Sequence, residues 1–270
     1  MPTSEAPSAT TTVSAPWHRL TDHVAVITGG NAGIGLGIAG GLIDSGAAVA
    51  IWGTNPERNA AAVQQLSARA PGVSAAAFTV DIADEEAVEN GMRDVVARFG
   101  KIDSCFANAG ISGAASATDT LDTAAWKRTL SVNLDGSFYT LRAAARQMRE
   151  QGEGGSLVVT SSLGSIEGLP GYAPYAASKG AINSVVRALA VELARFRITV
   201  NALVPGWIDT SMQQGQLDSD AVKSKILTRI PLRRWGTPED FEAIAVLLAG
   251  NGARYLTGQS IVVDGGYSVF

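Results

Sequence analysis

From about residue 22 to its end, this chain alternates short apolar runs of β-type residues with longer stretches of helical periodicity, and few folds accept that rhythm. Repeated strand–helix–strand units pack as a parallel sheet covered on both faces, so the pattern predicts an α/β fold with three layers and a doubly wound sheet. Seven strands are predicted, at 24–28, 48–52, 75–80, 104–107, 157–161, 199–203 and 261–263, in a mainly parallel sheet. Helices are predicted near 34–45, 56–69, 84–99, 123–149, 173–196 and 238–249. Thr237, Pro238 and Glu239 read as an N-cap, a first-turn proline and a favourable first-turn carboxylate. The segment 206–235 breaks the rhythm with a polar, weakly helical excursion, as expected of a lid or substrate loop. No internal repeat points to a solenoid. The division predicted is a disordered tail at 1–20 and one domain over 21–270.

Composition narrows the function. At 46% hydrophobic and 17% charged residues, the chain has ample apolar surface to bury. Its formal charge of -4 and pI near 5.3 predict no nucleic-acid partner and no anionic membrane partner, since both want a clustered basic face. The single cysteine, Cys105, sits in an apolar run and can form neither an internal disulfide nor a multi-cysteine metal site. Residues 1–16 are rich in Ser, Thr, Ala and Pro and lack the basic and apolar regions of a signal peptide. With no apolar run long enough to span a bilayer, the expected location is cytoplasmic. The two histidines, His18 and His23, lie in the tail and at the start of strand one, so a Ser-His-acid hydrolase has no base. No G-x-S-x-G elbow, H-E-x-x-H or paired Cys/His spacing occurs, and no metal is expected.

Strand one runs into Thr28-Gly29-Gly30-Asn31-Ala32-Gly33-Ile34-Gly35 and then into a helix. Glycines there let the backbone turn tightly and admit a pyrophosphate to the N–H groups and positive potential of a helix N-terminus. A literal G-x-G-x-x-G at Gly35, Gly37 and Gly40 starts where that turn ends, and its expected role is close packing of the helix on the sheet.

Further along stand Asn108-Ala109-Gly110 after strand four, Ser162, Tyr175-Ala176-Ala177-Ser178-Lys179, and Pro205-Gly206 with Thr210. With T-G-x-x-x-G-x-G, N-A-G, an upstream serine, Y-x-x-x-K and P-G-x-x-x-T in this order, the chain resembles the short-chain dehydrogenase/reductase family from about Asp22 to Tyr267. The resemblance implies a doubly wound Rossmann fold, a small-molecule carbonyl or alcohol substrate, an NAD(P) cofactor and a homotetramer. It implies catalytic roles for Asn133, Ser162, Tyr175 and Lys179, with Asn133 shaping a kinked helix and a water path to Lys179. It further implies a cofactor site built from Gly29, Asn31, Gly33, Ile34 and Gly35, from Asp81 and Ile82, from Asn108, Ala109 and Gly110, and from Pro205, Gly206, Ile208 and Thr210, with Tyr175 and Lys179. Ser161, beside the catalytic serine, is expected to face the other way if strand alternation persists.

The chemistry suits these residue types. Tyr175 and Lys179 are four apart on one helix and share a face. A tyrosine titrates near ~10, and the charge of Lys179 and of an oxidised nicotinamide is expected to lower that value. Tyr175 would then donate a proton to a developing alkoxide or remove one from an alcohol, and Ser162 would hold the oxygen. Asp81 could equally be a helix N-cap. At the end of strand two, Gly53, Thr54 and Asn55 offer no acid to bind a ribose 2′-hydroxyl. Thr54, Asn55 and Arg58 could meet a phosphate, so the expectation leans to NADP(H). Leu163, Gly164, Leu169, Trp207 and Met212, with Ser162 and Tyr175, make a largely apolar substrate wall, which predicts a ketone or secondary alcohol with a hydrophobic part, such as a 3-oxoacyl or aryl/alkyl ketone. The alternative is a dinucleotide-binding regulator or scaffold without turnover, because fold does not dictate function.

Overall fold

The computed structural model describes residues 16–210 and 220–270. Its seven strands are β1 (Val24–Thr28), β2 (Ala48–Gly53), β3 (Ala75–Thr79), β4 (Ser104–Ala107), β5 (Gly155–Thr160), β6 (Ile198–Pro205) and β7 (Ser260–Val263). They form one sheet in the order β3-β2-β1-β4-β5-β6-β7, and every neighbouring pair is parallel. The order reverses between β1 and β4, so a crevice opens at the carboxyl ends of these strands, where open α/β sheets bind ligands.

Both faces of the sheet are covered, which is why the strands read as unbroken apolar runs. Val24, Val26 and Trp52 point into one core with α3 (Glu85–Phe99), α5 (Ser137–Gln151) and α6 (Ala173–Leu193). Ala25, Ile27 and Ile51 point into the other with α1 (Gly33–Asp44), α2 (Pro56–Arg69) and α8 (Glu242–Ala249). The predicted helix 123–149 is divided: α4 (Thr123–Leu130) and α5 flank a π-helical segment at Ser131–Gly136. The last predicted helix opens as a 3-10 turn at Pro238–Phe241, with the Thr237 N–H donating to Asp240.

Three expectations need correction. The tail boundary at residue 20 lies too far in, because Leu20 is buried and its N–H donates to the Ser45 carbonyl at 2.8 Å; residues 1–15 lie outside the described ones. Asp84, not Asp81, caps α3, accepting from Glu86 and Ala87, while Asp81 accepts locally from the Ala83 N–H. The glycines of α1 serve a different neighbour from the one expected. A Cβ at Gly37 would sit 2.1 Å from the Pro238 carbonyl oxygen, and Cβ atoms at Gly40 and Gly41 would strike the Arg69 and Glu242 side chains and the Glu242 backbone. At these three positions the lack of side chains seats α1 against the 3-10 turn, α8 and the Arg69 side chain of α2, while its apolar side chains cover the sheet.

The excursion between β6 and the Pro238 turn is pinned at its base. Ile208 and Gly236 form an isolated parallel bridge, with Asp209 N–H to Gly236 O at 2.8 Å and Gly236 N–H to Trp207 O at 2.9 Å. Within it, α7 spans Asp220–Ile226.

At the opposite end of the sheet, His23 contacts the fully buried Ser104 through Nε2 at 2.9 Å. Burial lowers the imidazole from 6.5 to about 4, against the attraction of Asp103. Between those values the unfolded chain binds a proton that the folded chain refuses, so this stability is complete above pH 6.5 and drains away as pH falls toward 4. His23→Gln is therefore expected to flatten the acid limb of a stability–pH curve in that window, by on the order of 3 kcal/mol. Parallel curves for the two proteins would contradict it.

Candidate active site

A groove of about 320 Å³ runs across the crevice at the carboxyl ends of the strands. One wall is the glycine turn after β1, through Gly29, Asn31, Gly33 and Ile34. Gly29 and Gly33 adopt φ of +64° and +51°, which an L side chain rarely takes. Gly35 lies behind that wall: a Cβ there would meet the Gly29 carbonyl oxygen at 2.2 Å. No side chain caps α1, which starts after Ala32 in extended backbone. An uncapped helix start beside a glycine-rich turn fits a pyrophosphate, whose oxygens would take the place of the missing cap.

The next wall is Asn108, Ala109 and Gly110, held by a network that motif reading did not bring out. The buried Thr28 Oγ1 accepts from the backbone N–H groups of Asn108 and Ala109, both at 2.9 Å. Asn108 donates from Nδ2 to the Thr28 carbonyl at 3.1 Å and accepts from the Thr160 hydroxyl at 2.9 Å, tying β1 to β4 and β5. Thr28 opens the T-G-x-x-x-G-x-G motif, but the only signal of Thr160 in the sequence is a polar residue late in an apolar strand.

Ser162, Tyr175 and Lys179 line the far wall, while Asn133 stands behind Gly110 and lines neither the groove nor its neighbouring cavity. Asn133 lies in the π-helical segment, where its Oδ1 accepts from the Ile111 N–H and its Nδ2 donates to the Ile111 carbonyl, both at 2.8 Å. Nδ2 also reaches the Ser178 hydroxyl at 3.2 Å, so Asn133 joins the loop after β4 to α6. Lys179 is buried, and its ammonium donates to the Thr160 carbonyl at 2.6 Å. Ser161 donates to the Lys179 carbonyl at 3.2 Å, whereas Ser162 accepts from the Gly164 N–H at 3.1 Å and hydrogen-bonds the Tyr175 hydroxyl.

The electrostatics differ from expectation. Lys179 was expected to lower the Tyr175 phenol; here burial raises it, opposed by the hydrogen bond from Ser162. The ammonium sits 5.7 Å from the Tyr175 ring centroid and is turned to the Thr160 carbonyl, and burial lowers its own pKa to about 8. Tyr175 is therefore protonated at neutral pH.

Pro205, Gly206, Ile208 and Thr210 complete the groove, and Arg58 borders it from α2. Thr54 and Asn55, expected to meet a phosphate, do not line it; Asn55 caps α2 by accepting from the Arg58 N–H at 2.8 Å. Asp81 and Ile82 also stand apart, Ile82 being buried beside Gly136. A second cavity, of about 140 Å³, adjoins the groove. Leu163, Gly164, Leu169 and Trp207 line it, while Ser162, Tyr175 and Gly206 line both cavities. Met212 lies outside the described residues.

A family model described as enoyl-(acyl carrier protein) reductase matches residues 29–268. The chain belongs to the short-chain dehydrogenase/reductase family. It is 37% identical over 247 residues to the 3-oxoacyl-[acyl-carrier-protein] reductase of Chlamydia muridarum, covering 92% of this chain and 98% of that protein. Levodione reductase of Leifsonia aquatica is 33% identical over 264 residues, covering 96% and 98%. Among solved structures, a gluconate 5-dehydrogenase from Burkholderia cenocepacia in complex with NADP and tartrate superposes with a TM-score of 0.88 at 33% identity, over 94% of this chain and 98% of that one.

Within this short-chain dehydrogenase/reductase, Asn59 is a further residue that sequence reading missed. It is buried on α2; its Oδ1 accepts from Asn31 Nδ2 at 2.7 Å and its Nδ2 donates to the Gly53 carbonyl at 3.0 Å. A Cβ at Gly53 would fall 2.2 Å from Asn31 Nδ2 and 2.5 Å from Asn59 Oδ1. Gly53→Ala is expected to displace Asn31 from the groove wall and weaken nucleotide binding by about tenfold, ~1.4 kcal/mol. Fluorescence titration of the reduced nucleotide reads this directly, and an unchanged Kd would show that Asn31 does not depend on the bare position.

Proposed function

We propose that the chain is an NAD(P)-dependent ketoreductase or alcohol dehydrogenase that interconverts a ketone and a secondary alcohol, with Tyr175 as general acid and base. The observation that carries this reading is the shared border of the two cavities: Ser162 and Tyr175 face both the nucleotide-sized groove and the smaller pocket. A bound nicotinamide supplies or accepts the hydride. Ser162, anchored by the Gly164 N–H, positions the substrate oxygen beside the Tyr175 hydroxyl. Tyr175 gives its proton to that oxygen as a carbonyl is reduced, or takes one as an alcohol is oxidised. Lys179 and Asn133 hold the proton-relay end of the site, Lys179 through its ammonium and Asn133 by fixing the loop beyond Gly110.

NADP(H) is the favoured cofactor. Arg58 is a cation on the groove, no acid stands at residues 53–55 to bind a 2′-hydroxyl, and the Burkholderia relative carries NADP. Leu163, Leu169 and Trp207 favour a substrate with a hydrophobic part. The proposed assembly is a homotetramer, in which subunit contacts would cover exposed apolar side chains such as Val191, Tyr255 and Phe270. The deciding experiment follows reduced-nicotinamide absorbance with both nucleotides and a panel of ketones. Oxidation of NADPH by ketones is expected. Tight nucleotide binding with no ketone reduced would instead make the protein a binder without turnover.

A further inference from the structure

The smaller cavity holds one feature that apolar patterning does not account for. Glu167 lines it, and no Lys or Arg does. Glu167 is held by its backbone, whose N–H donates to the Leu163 carbonyl at 2.8 Å, and its carboxylate is in none of the ion pairs found among the described residues. Tyr172, Tyr175, Trp207 and Tyr267 line the same cavity, with Trp207 and Tyr267 packed edge to face at 6.2 Å between centroids.

Two cations stand behind aromatic walls of the cavity without lining it, Arg229 behind Tyr267 and Lys179 behind Tyr175, where Lys179 donates to the Thr160 carbonyl. Arg229 donates to the Tyr267 hydroxyl at 2.7 Å and lies over its ring, 4.2 Å from the centroid, without lining the cavity. Arg233 donates to the Thr228 carbonyl, and Arg234 forms a two-pronged bridge to Asp240. Residues 211–219, the part of the excursion outside the described structure, contain no Lys or Arg in sequence.

We infer that this pocket is a charge filter selecting a small ketone or alcohol that bears an amine-type cation, with Glu167 as the specificity-determining residue. A carboxylate among aromatic rings attracts such a cation twice, by Coulomb interaction and through the ring quadrupoles. The same carboxylate repels an anionic substrate, and no cation lining the pocket offsets it. A cavity of about 140 Å³ admits a group of roughly benzene-ring size, so the charged arm is short. The inference rests on the carbonyl-reduction reading for its reaction, but its binding test does not.

The test uses three acetophenones of similar size, bearing a para-aminomethyl, a para-methyl or a para-carboxylate group. Each is titrated calorimetrically into the full-length protein loaded with NADP+, and each is assayed for turnover with NADPH. Affinity is expected to fall from the cation to the neutral ketone to the anion, by about tenfold at each step. Glu167→Gln should bring the three within about threefold of one another, and added salt should compress the parent's series in the same direction. Equal or tighter binding of the carboxylate, an unchanged series in Glu167→Gln, or no binding of the cationic ketone would overturn the inference. Charge-ordered binding without turnover of any ketone would leave the filter standing and sink the proposed reaction.

Discussion

Tyr175→Phe is expected to lower kcat by about 10³-fold or more while leaving nucleotide affinity within about twofold. The substitution removes one oxygen and keeps the ring that Lys179 overlooks at 5.7 Å. The lost hydroxyl hydrogen-bonds Ser162, which still accepts from the Gly164 N–H, so the pocket wall keeps its shape. Its absence falls on the transition state, where a developing alkoxide has no proton to take and no nearby replacement. Burial raises this phenol and the nearest ammonium is engaged by the Thr160 carbonyl, so the hydroxyl carries its proton at neutral pH. Single-turnover kinetics with NADPH separate the chemical step from binding. A variant retaining a tenth of the parental kcat would remove Tyr175 from the reaction.

Gly37→Ala is expected to destabilise the fold by about 3 kcal/mol, lowering Tm by roughly 6–12 °C. The sign is what makes this informative, since alanine in place of glycine inside a helix ordinarily stabilises by up to about 1 kcal/mol. Here the added carbon would lie 2.1 Å from the Pro238 carbonyl oxygen and 2.5 Å from its carbon. Backbone atoms cannot swing aside as a side-chain end can, and this turn is further fixed by Asp240, which accepts from the Thr237 N–H and from Arg234. α1 must then move off its seat, carrying the groove's glycine turn with it. Calorimetric melting of the two proteins decides the matter, and a variant as stable as its parent would mean that α1 has slack at this contact.

What could be read from the sequence was what local pattern controls. All seven strands and the breadth of the helical layers follow from period and polarity, because strands buried on both faces are continuously apolar and several of the helices begin at side-chain caps. The π-helical segment was not legible from local pattern, since Ser131-Val132-Asn133 continues the helical period; only the family resemblance implied a kinked helix at Asn133, which here reaches the backbone of Ile111 in a distant loop. Local spacing likewise placed Tyr175 and Lys179 on one face but not the turn of the ammonium to Thr160, a partner supplied by β5. Asn59 was hidden for the same reason, being a polar residue in a polar helix whose partners come from the glycine turn and β2. Glu167 had a faint signal, an acid in an otherwise apolar and glycine-rich stretch, and only the pocket gives it meaning.

The bridge between Ile208 and Gly236 makes the intervening chain a closed cassette. Its ends are fastened to each other, but the segment is also tied down along its length: Thr210 lines the groove, Ile230 is buried in a cluster with Tyr267, and Arg234 bridges Asp240 of the Pro238 turn. New specificities should therefore be sought by exchanging the interior of this segment while Thr210, Ile230 and Arg234 are kept, so that the groove and the Pro238 turn hold their shape.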